Sequence, residues 1–303
     1  MRIASNQFHI TMSTSLQAAT ARVEKVLTQM AYGQRVLLPS DDPISSVRLA
    51  RLDREEAALT QYRDNVGGLM SRLRQSESIL DSISNDMLQL QDLLLFAADG
   101  SNSSADLNAV AGSLESLRDS VLAFANTRDQ EGRYLFSGTA SLSPTITFDP
   151  AATPGARYTF TGNTLQQQVV VGEGVTQPAN TSLDDVAALL NQLDLTVVDM
   201  NTPGVNMSDP AVRARLVATT DLVNDSFNRV GERIARLGGQ QALLDNLDGA
   251  HANISLSNRQ AALTLGQLDY GDATVKLQAY NTSLQATQKA YAKITAFSLF
   301  DVI

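Results

Sequence analysis

"LDREEAALTQYRDNVGGLMSRLRQSESILDSISNDMLQLQDLLLFA", residues 52–97, carries an apolar residue at every seventh position. Leu52, Leu59, Val66, Leu73, Leu80, Met87 and Leu94 form one row, and Tyr62, Leu69, Ile83, Leu90 and Ala97 interleave with it. A helix turns once in about 3.6 residues, so a seven-residue repeat keeps both rows on one face. Burying that face requires other helices. Just upstream, "PSDDPISS" marks the start: Asp42 suits the N-cap and Pro43 the first helical position. "DGSNSSAD" ends the helix at Gly100 and begins another. At about 1.5 Å per residue the helix extends roughly 80 Å. Gly67-Gly68 interrupts the row, which predicts either close approach of a neighbouring helix or a local bend.

The same rhythm extends outward. Met12, Leu16, Ala19, Val23, Val26 and Met30 mark a helix before the long one, and Leu107, Val110, Leu114, Leu117, Val121 and Phe124 mark one after it. Beyond Gly138 the character changes. "PTITFDP", "RYTFTGN" and "LQQQVVVGEG" are short, β-branched or aromatic, and bounded by Pro, Gly and Asn, as strands and turns are. "TSLDDVAALLNQLDL" reads as a short helix. From Asp209-Pro210 the heptads return through Leu216, Val223, Val230, Leu237 and Leu244. The apolar row then shifts register through Leu247, Ile254, Ala261, Leu268 and Val275, and closes on Leu277, Tyr280, Leu284, Tyr291 and Ile294. The predicted fold is mainly α, a long antiparallel helical coiled-coil rod built from both chain termini, with a small β-rich domain inserted in the middle. Its expected divisions are 1–137 and 182–303 for the two halves of the helical core and 138–181 for the insertion.

Composition narrows the function. The chain has 303 residues, 43% hydrophobic and 18% charged, the balance of a folded chain. A net charge of -9 and a pI near 4.7 argue against a nucleic-acid or anionic-membrane partner. Cysteine is absent, which removes disulfides, thiolate metal ligands and thiol nucleophiles and suits secretion. "MRIASNQFHITMSTSLQAATA" has one Arg and no apolar core, unlike a signal peptide. The apolar run "LLLFAA" is far shorter than the ~20 residues that span a bilayer.

Chemistry is sparse. His9 and His251 lie in different helical segments, and His251 follows Leu244 by seven, as a satisfied histidine within the helix–helix contact would. No zinc spacing, Walker loop or dinucleotide glycine pattern occurs, and no cofactor or metal is expected. Asp41-Asp42 is better explained by capping than by paired catalytic carboxylates. Arg48, Arg51 and Arg54 beside Glu55 and Glu56 suggest an ion-paired, solvated helix face. The chain therefore reads as a non-enzyme.

The ends are more informative. Between Arg2 and Arg22 no Asp, Glu, Lys or Arg occurs, and after Lys276 only Lys289, Lys293 and Asp301 are charged. A surface helix normally carries charges on its wet face. Two charge-poor helical ends instead suggest assembly surfaces, with Phe8, Met12, Leu16, Val23, Leu284, Tyr291, Ile294, Phe297, Leu299, Phe300 and Ile303 as the candidate interface.

Three stretches carry a family resemblance. "GQRVLLPSDDPISSVRLARLDRE", "GRYLFSGT" and "LDYGDATVKLQAYNTSLQATQKAYAKITAFSLFDVI" occur in the order found in the flagellin-like hook-associated proteins of the bacterial hook–filament junction. Where the family usually has an acidic residue, this chain has Thr274 after Ala273. "LLPSDDPISS" also differs from the "INSAKDDAAG" typical of filament flagellins. The resemblance implies a structural subunit of the bacterial flagellum, outside the cell, exported unfolded through the flagellar type III channel without a cleaved signal peptide. The implied partners are further copies in a ring, the preceding hook-associated junction protein, flagellin, and an export chaperone. A filament flagellin is the nearest alternative within the family, and a coiled-coil tip or adhesin-type binding protein is the alternative outside it.

Overall fold

A computed structural model describes residues 2–296. The elements in order are α1 (Arg2–Tyr32), α2 (Pro43–Ala97), α3 (Ser104–Ala125), β1 (Ile146–Phe148), β2 (Tyr158–Phe160), β3 (Gln168–Gly172), β4 (Val175–Pro178), α4 (Val186–Met200), α5 (Pro210–Gly266) and α6 (Tyr270–Ala296). Two compact units result: Met1–Ala58 with Ala252–Ile303, and Leu59–His251.

The second unit holds the larger core. Its α2 portion buries Val66, Leu73, Leu80, Met87 and Leu94, and its α5 portion buries Leu216, Val223, Val230, Leu237 and Leu244, all in one cluster. These are the expected heptad rows. Gly67 and Gly68 lie within an unbroken helix, and a Cβ at either would meet no neighbour within 4 Å, so close helix approach is not their role. Ser103 caps α3 with a capping box, its hydroxyl accepting from the Asp106 amide while Asp106 accepts from the Ser103 amide.

The strands of the described residues all fall between residues 138 and 181. The strands form two antiparallel hairpins, β1–β2 and β3–β4. They do not stand apart from the helices of their unit, because Ile146, Tyr158 and Val171 join the core cluster that contains α3 and α4 residues. Two asparagine amides extend the first hairpin sideways. Asn126, after α3, donates to the Ile146 carbonyl at 2.8 Å and accepts from its amide at 3.0 Å. Asn191 of α4 repeats the pattern on Tyr158, at 2.7 and 2.9 Å. Each side chain imitates a strand and satisfies backbone groups that burial would otherwise leave unpaired. Strand β4, unmarked in the sequence reading, follows a turn in which Gly174 takes φ 68°.

Burial in the second half of α5 also differs from expectation. The row keeps its original register through His251, which is buried, and Asn258 and Leu265, which are half-buried, while Ile254 is 42% exposed. Polar residues can occupy a helix–helix contact when their bonds are made. Ser255 donates to Glu56 at 2.6 Å and His251 Nε2 lies 2.8 Å from the Val171 carbonyl. His251 Nδ1, however, is buried without a partner, so the expectation of two satisfied ring nitrogens holds for one. Val275, expected on this row, lies in α6 after the helix break and is 68% exposed.

Candidate assembly interface

Helices α1 and α6 pack on each other in the first unit. On α1 the covered positions are Phe8, Met12, Leu16, Ala19, Val23, Val26 and Met30; on α6 they are Ala273, Leu277, Tyr280, Leu284, Thr287 and Tyr291. Both sets advance by threes and fours, so each helix offers one stripe and the stripes meet. Val26 and Ala273 are buried with Leu268 in a small cluster that Met30, Leu277 and Tyr280 flank. His9 Nδ1 and the Tyr291 hydroxyl share a hydrogen bond of 3.1 Å, their rings meeting edge to face.

Six of the candidate interface residues thus come together: Phe8, Met12, Leu16, Val23, Leu284 and Tyr291 are half-buried along this stripe. They face the partner helix of their own chain. The Ile294 side chain and residues Phe297, Leu299, Phe300 and Ile303 lie outside the described residues.

From residue 7 to residue 21 the remaining faces of α1 are exposed and uncharged. Four of the five hydroxyls there are already committed. Thr11, Thr14, Ser15 and Thr20 each donate to the carbonyl four residues earlier, at 2.9, 2.9, 2.9 and 3.0 Å. Thr274, Thr282 and Thr287 do so on α6, at 2.7, 2.9 and 2.8 Å. A hydroxyl that has spent its proton within the helix loses little when water is removed. Such a surface can be covered by protein at low cost.

A joint between α1, α2, α5 and α6 sits in the same unit and was not identified from sequence. Gly33, at φ 67°, ends α1, and residues 34 and 267 form an isolated antiparallel bridge. The Arg35 amide donates to the Gly266 carbonyl at 2.8 Å, and the Leu268 amide to that of Gly33 at 3.0 Å. The Arg35 guanidinium contacts Asp42 at 3.0 Å, with Ser45 Oγ and the Leu265 carbonyl each at 3.1 Å. Asp42 caps α2 as expected, accepting from the Ser45 amide at 3.0 Å. The Ser45 hydroxyl and amide, then Arg35, hold its carboxyl down to about 2. Asp41 accepts from the Leu37 and Leu38 amides and pairs with Lys25 at 2.6 Å, and the Lys25 bond leads in lowering its pKa. Both acids are structural. The sequence signal was available, since all four of Arg35, Asp41, Asp42 and Ser45 lie in "GQRVLLPSDDPISSVRLARLDRE".

Charge pairing elsewhere departs from the sequence reading. Glu56 bonds Arg259 of α5, with Nη2 at 2.6 Å. In the second unit Asp194 is buried and accepts from Arg118 at 3.1 Å, Arg157 at 3.3 Å and the Gly155 amide at 3.1 Å. A cavity of about 460 Å³ in that unit is lined by Arg72, Asp129, Glu131, Arg133 and Gln167 among others. Burial opposes ionisation of Asp129, but the Arg133 and Glu131 amides and the Arg133 guanidinium outweigh it and keep that carboxyl below its usual range. Asp129 and Glu131 both pair with Arg133. Among the described residues no group of three or more His, Asp or Glu could hold a metal ion, and no helix is long and apolar enough to cross a membrane.

Residues 3–141 match the family model of the bacterial flagellin N-terminal helical region. Over 320 aligned residues the chain is 26% identical to flagellar hook-associated protein 3 of Escherichia coli K12, spanning 100% of this chain and 99% of that protein. The chain is similar to the flagellin-like proteins of the hook-associated kind. A candidate flagellar hook-associated protein from Vibrio parahaemolyticus aligns with TM-score 0.66 and 29% identity over 74% of this chain and 99% of that one. The flagellar junction protein FlgL of Legionella pneumophila, at 13% identity, shares the fold, with TM-score 0.55 over 72% of this chain and 100% of that one. These relatives are proteins of the bacterial flagellum.

Proposed function

We propose that this chain is a structural subunit of the junction between hook and filament, assembled as a ring through α1 and α6. The observation that carries the reading is the α1–α6 pair itself. Each helix spends one stripe on the other and leaves its remaining surface uncharged or nearly so, with most hydroxyls bonded internally. Phe8, Met12, Leu16, Val23, Leu284 and Tyr291 hold the pair together. Ile294, Phe297, Leu299, Phe300 and Ile303 extend the apolar series toward neighbouring subunits. Those neighbours are further copies, the preceding hook-associated protein and flagellin. Export proceeds unfolded, with a chaperone covering the apolar ends, and the absence of cysteine suits that route.

The test is removal of the chain from flagellated cells of its source. The expected result is hooks without filaments, flagellin released into the medium, and motility restored by the wild-type chain. Normal filaments on cells lacking it would refute the reading.

A further inference from the structure

The first turns of α2 expose a second stripe: Ile44, Val47, Arg51, Arg54 and Ala58, spaced three, four, three and four. Ile44 and Val47 are each 68% exposed. This is a heptad face with no helix against it among the described residues. The first turns of α5 expose a stripe of the same kind: Ala214, Val217, Asp221, Asp225 and Asn228. Val217 is 54% exposed and lines a groove of about 480 Å³ with Ala214 and Asp221. Arg51, Asp221 and Asp225 have no ion-pair partner among the described residues, and Arg54 bonds only the Ala50 carbonyl, at 3.1 Å.

The two stripes are complementary in order as well as in charge. In each, two apolar residues precede two charged ones. Laid side by side in parallel, Ile44 meets Ala214, Val47 meets Val217, Arg51 meets Asp221 and Arg54 meets Asp225. Antiparallel packing would set the aspartates on Ile44 and Val47 and the arginines on Ala214 and Val217. Charge complementarity therefore selects one orientation.

We propose that this face of α2 docks, in parallel, on the first turns of α5 of a second copy of this chain. The contact is heterologous: each copy uses one stripe and leaves its other stripe for the next copy, as a ring or stack requires. It rests on the reading that the chain assembles with itself, and adds a contact away from α1 and α6.

Because the chain has no cysteine, cross-linking reports the contact directly. Purified full-length Val47→Cys and Val217→Cys chains, mixed at high concentration under mild oxidation, should form the mixed 47–217 product in excess over random pairing. Adding Arg51→Asp and Arg54→Asp to the first chain should reduce that product several-fold. Adding Asp221→Arg and Asp225→Arg to the second should restore it. The proposal fails if no cross-link forms, if the mixed product does not exceed the random share, or if charge reversal has no effect. Such a failure, with the labelled chain still found at the end of the hook, would overturn this contact alone and leave the junction reading intact.

Discussion

Asp42 and Asp194 show two ways in which a carboxylate holds this fold together. Asp42 is a half-buried cap whose pKa lies near 2 in the folded chain, below the ordinary 3.8, because Ser45 and Arg35 bond its charged form. A depressed folded value means the contribution is fully present above the ordinary pKa and is lost as pH falls through the folded one. Wild type should therefore exceed Asp42→Asn in thermal midpoint near neutrality, with the gap closing between about pH 4 and pH 2. A gap independent of pH would show that the cap does not act through its charge. Asp194, by contrast, is 1% exposed beside Arg118 at 8%. Removing one member of a buried pair leaves the other charge uncompensated, at about 3–5 kcal/mol. Arg118 retains Asp119 and Glu115, so Asp194→Ala should cost about 3 kcal/mol, the lower end of that range. Urea unfolding measures it, and a loss below about 1 kcal/mol would contradict the assigned role.

At the scale of elements, the long helices were legible because a heptad row of Leu, Val and Met has few other readings. The α5 row beyond Leu244 was not. Its buried positions include His251 and Ser255, polar residues whose fitness depends on bonds to distant parts of the chain, the Val171 carbonyl and Glu56. Ile254, which the reading placed on this row, is exposed. Likewise β1 and β2 were visible as strands, but their attachment to α3 and α4 through Asn126 and Asn191 was not, because no local pattern marks an asparagine that will pair with a strand. The stripe by which α1 meets α6 was legible from apolar residues spaced by threes and fours. The Arg35 joint was quoted as a motif without its physical role. The hairpins' attachment yields an expectation. Replacing residues 140–180 with a Gly/Ser linker uncovers the core where Ile146, Tyr158 and Val171 sat. At ~1.5–3 kcal/mol per large buried side chain the loss is roughly 5 kcal/mol. Circular dichroism melting should show it, and an unchanged midpoint would mean the helices do not need the hairpins.

For the whole molecule, the central claim is that the ends serve assembly while the core of Leu59–His251 supplies most of the stability. The large core cluster lies wholly in that unit, whereas the small cluster at the α1–α6 pair buries only Val26 of α1, Ala273 of α6 and Leu268 from the turn before α6. Deleting residues 297–303 should leave the monomer's melting midpoint nearly unchanged and abolish stable incorporation into the flagellum. A large fall in monomer stability would instead place those residues in the chain's own core. The most direct measurement is the position of the chain on intact flagella. Leu142 is 86% exposed, and the native chain has no cysteine, so Leu142→Cys accepts a dye without a competing thiol. In cells whose flagella also carry a second colour on the filament, the account predicts one compact spot at the junction with the hook. Label along the full filament would identify a filament flagellin, and label confined to the cell body would contradict the assembly role altogether.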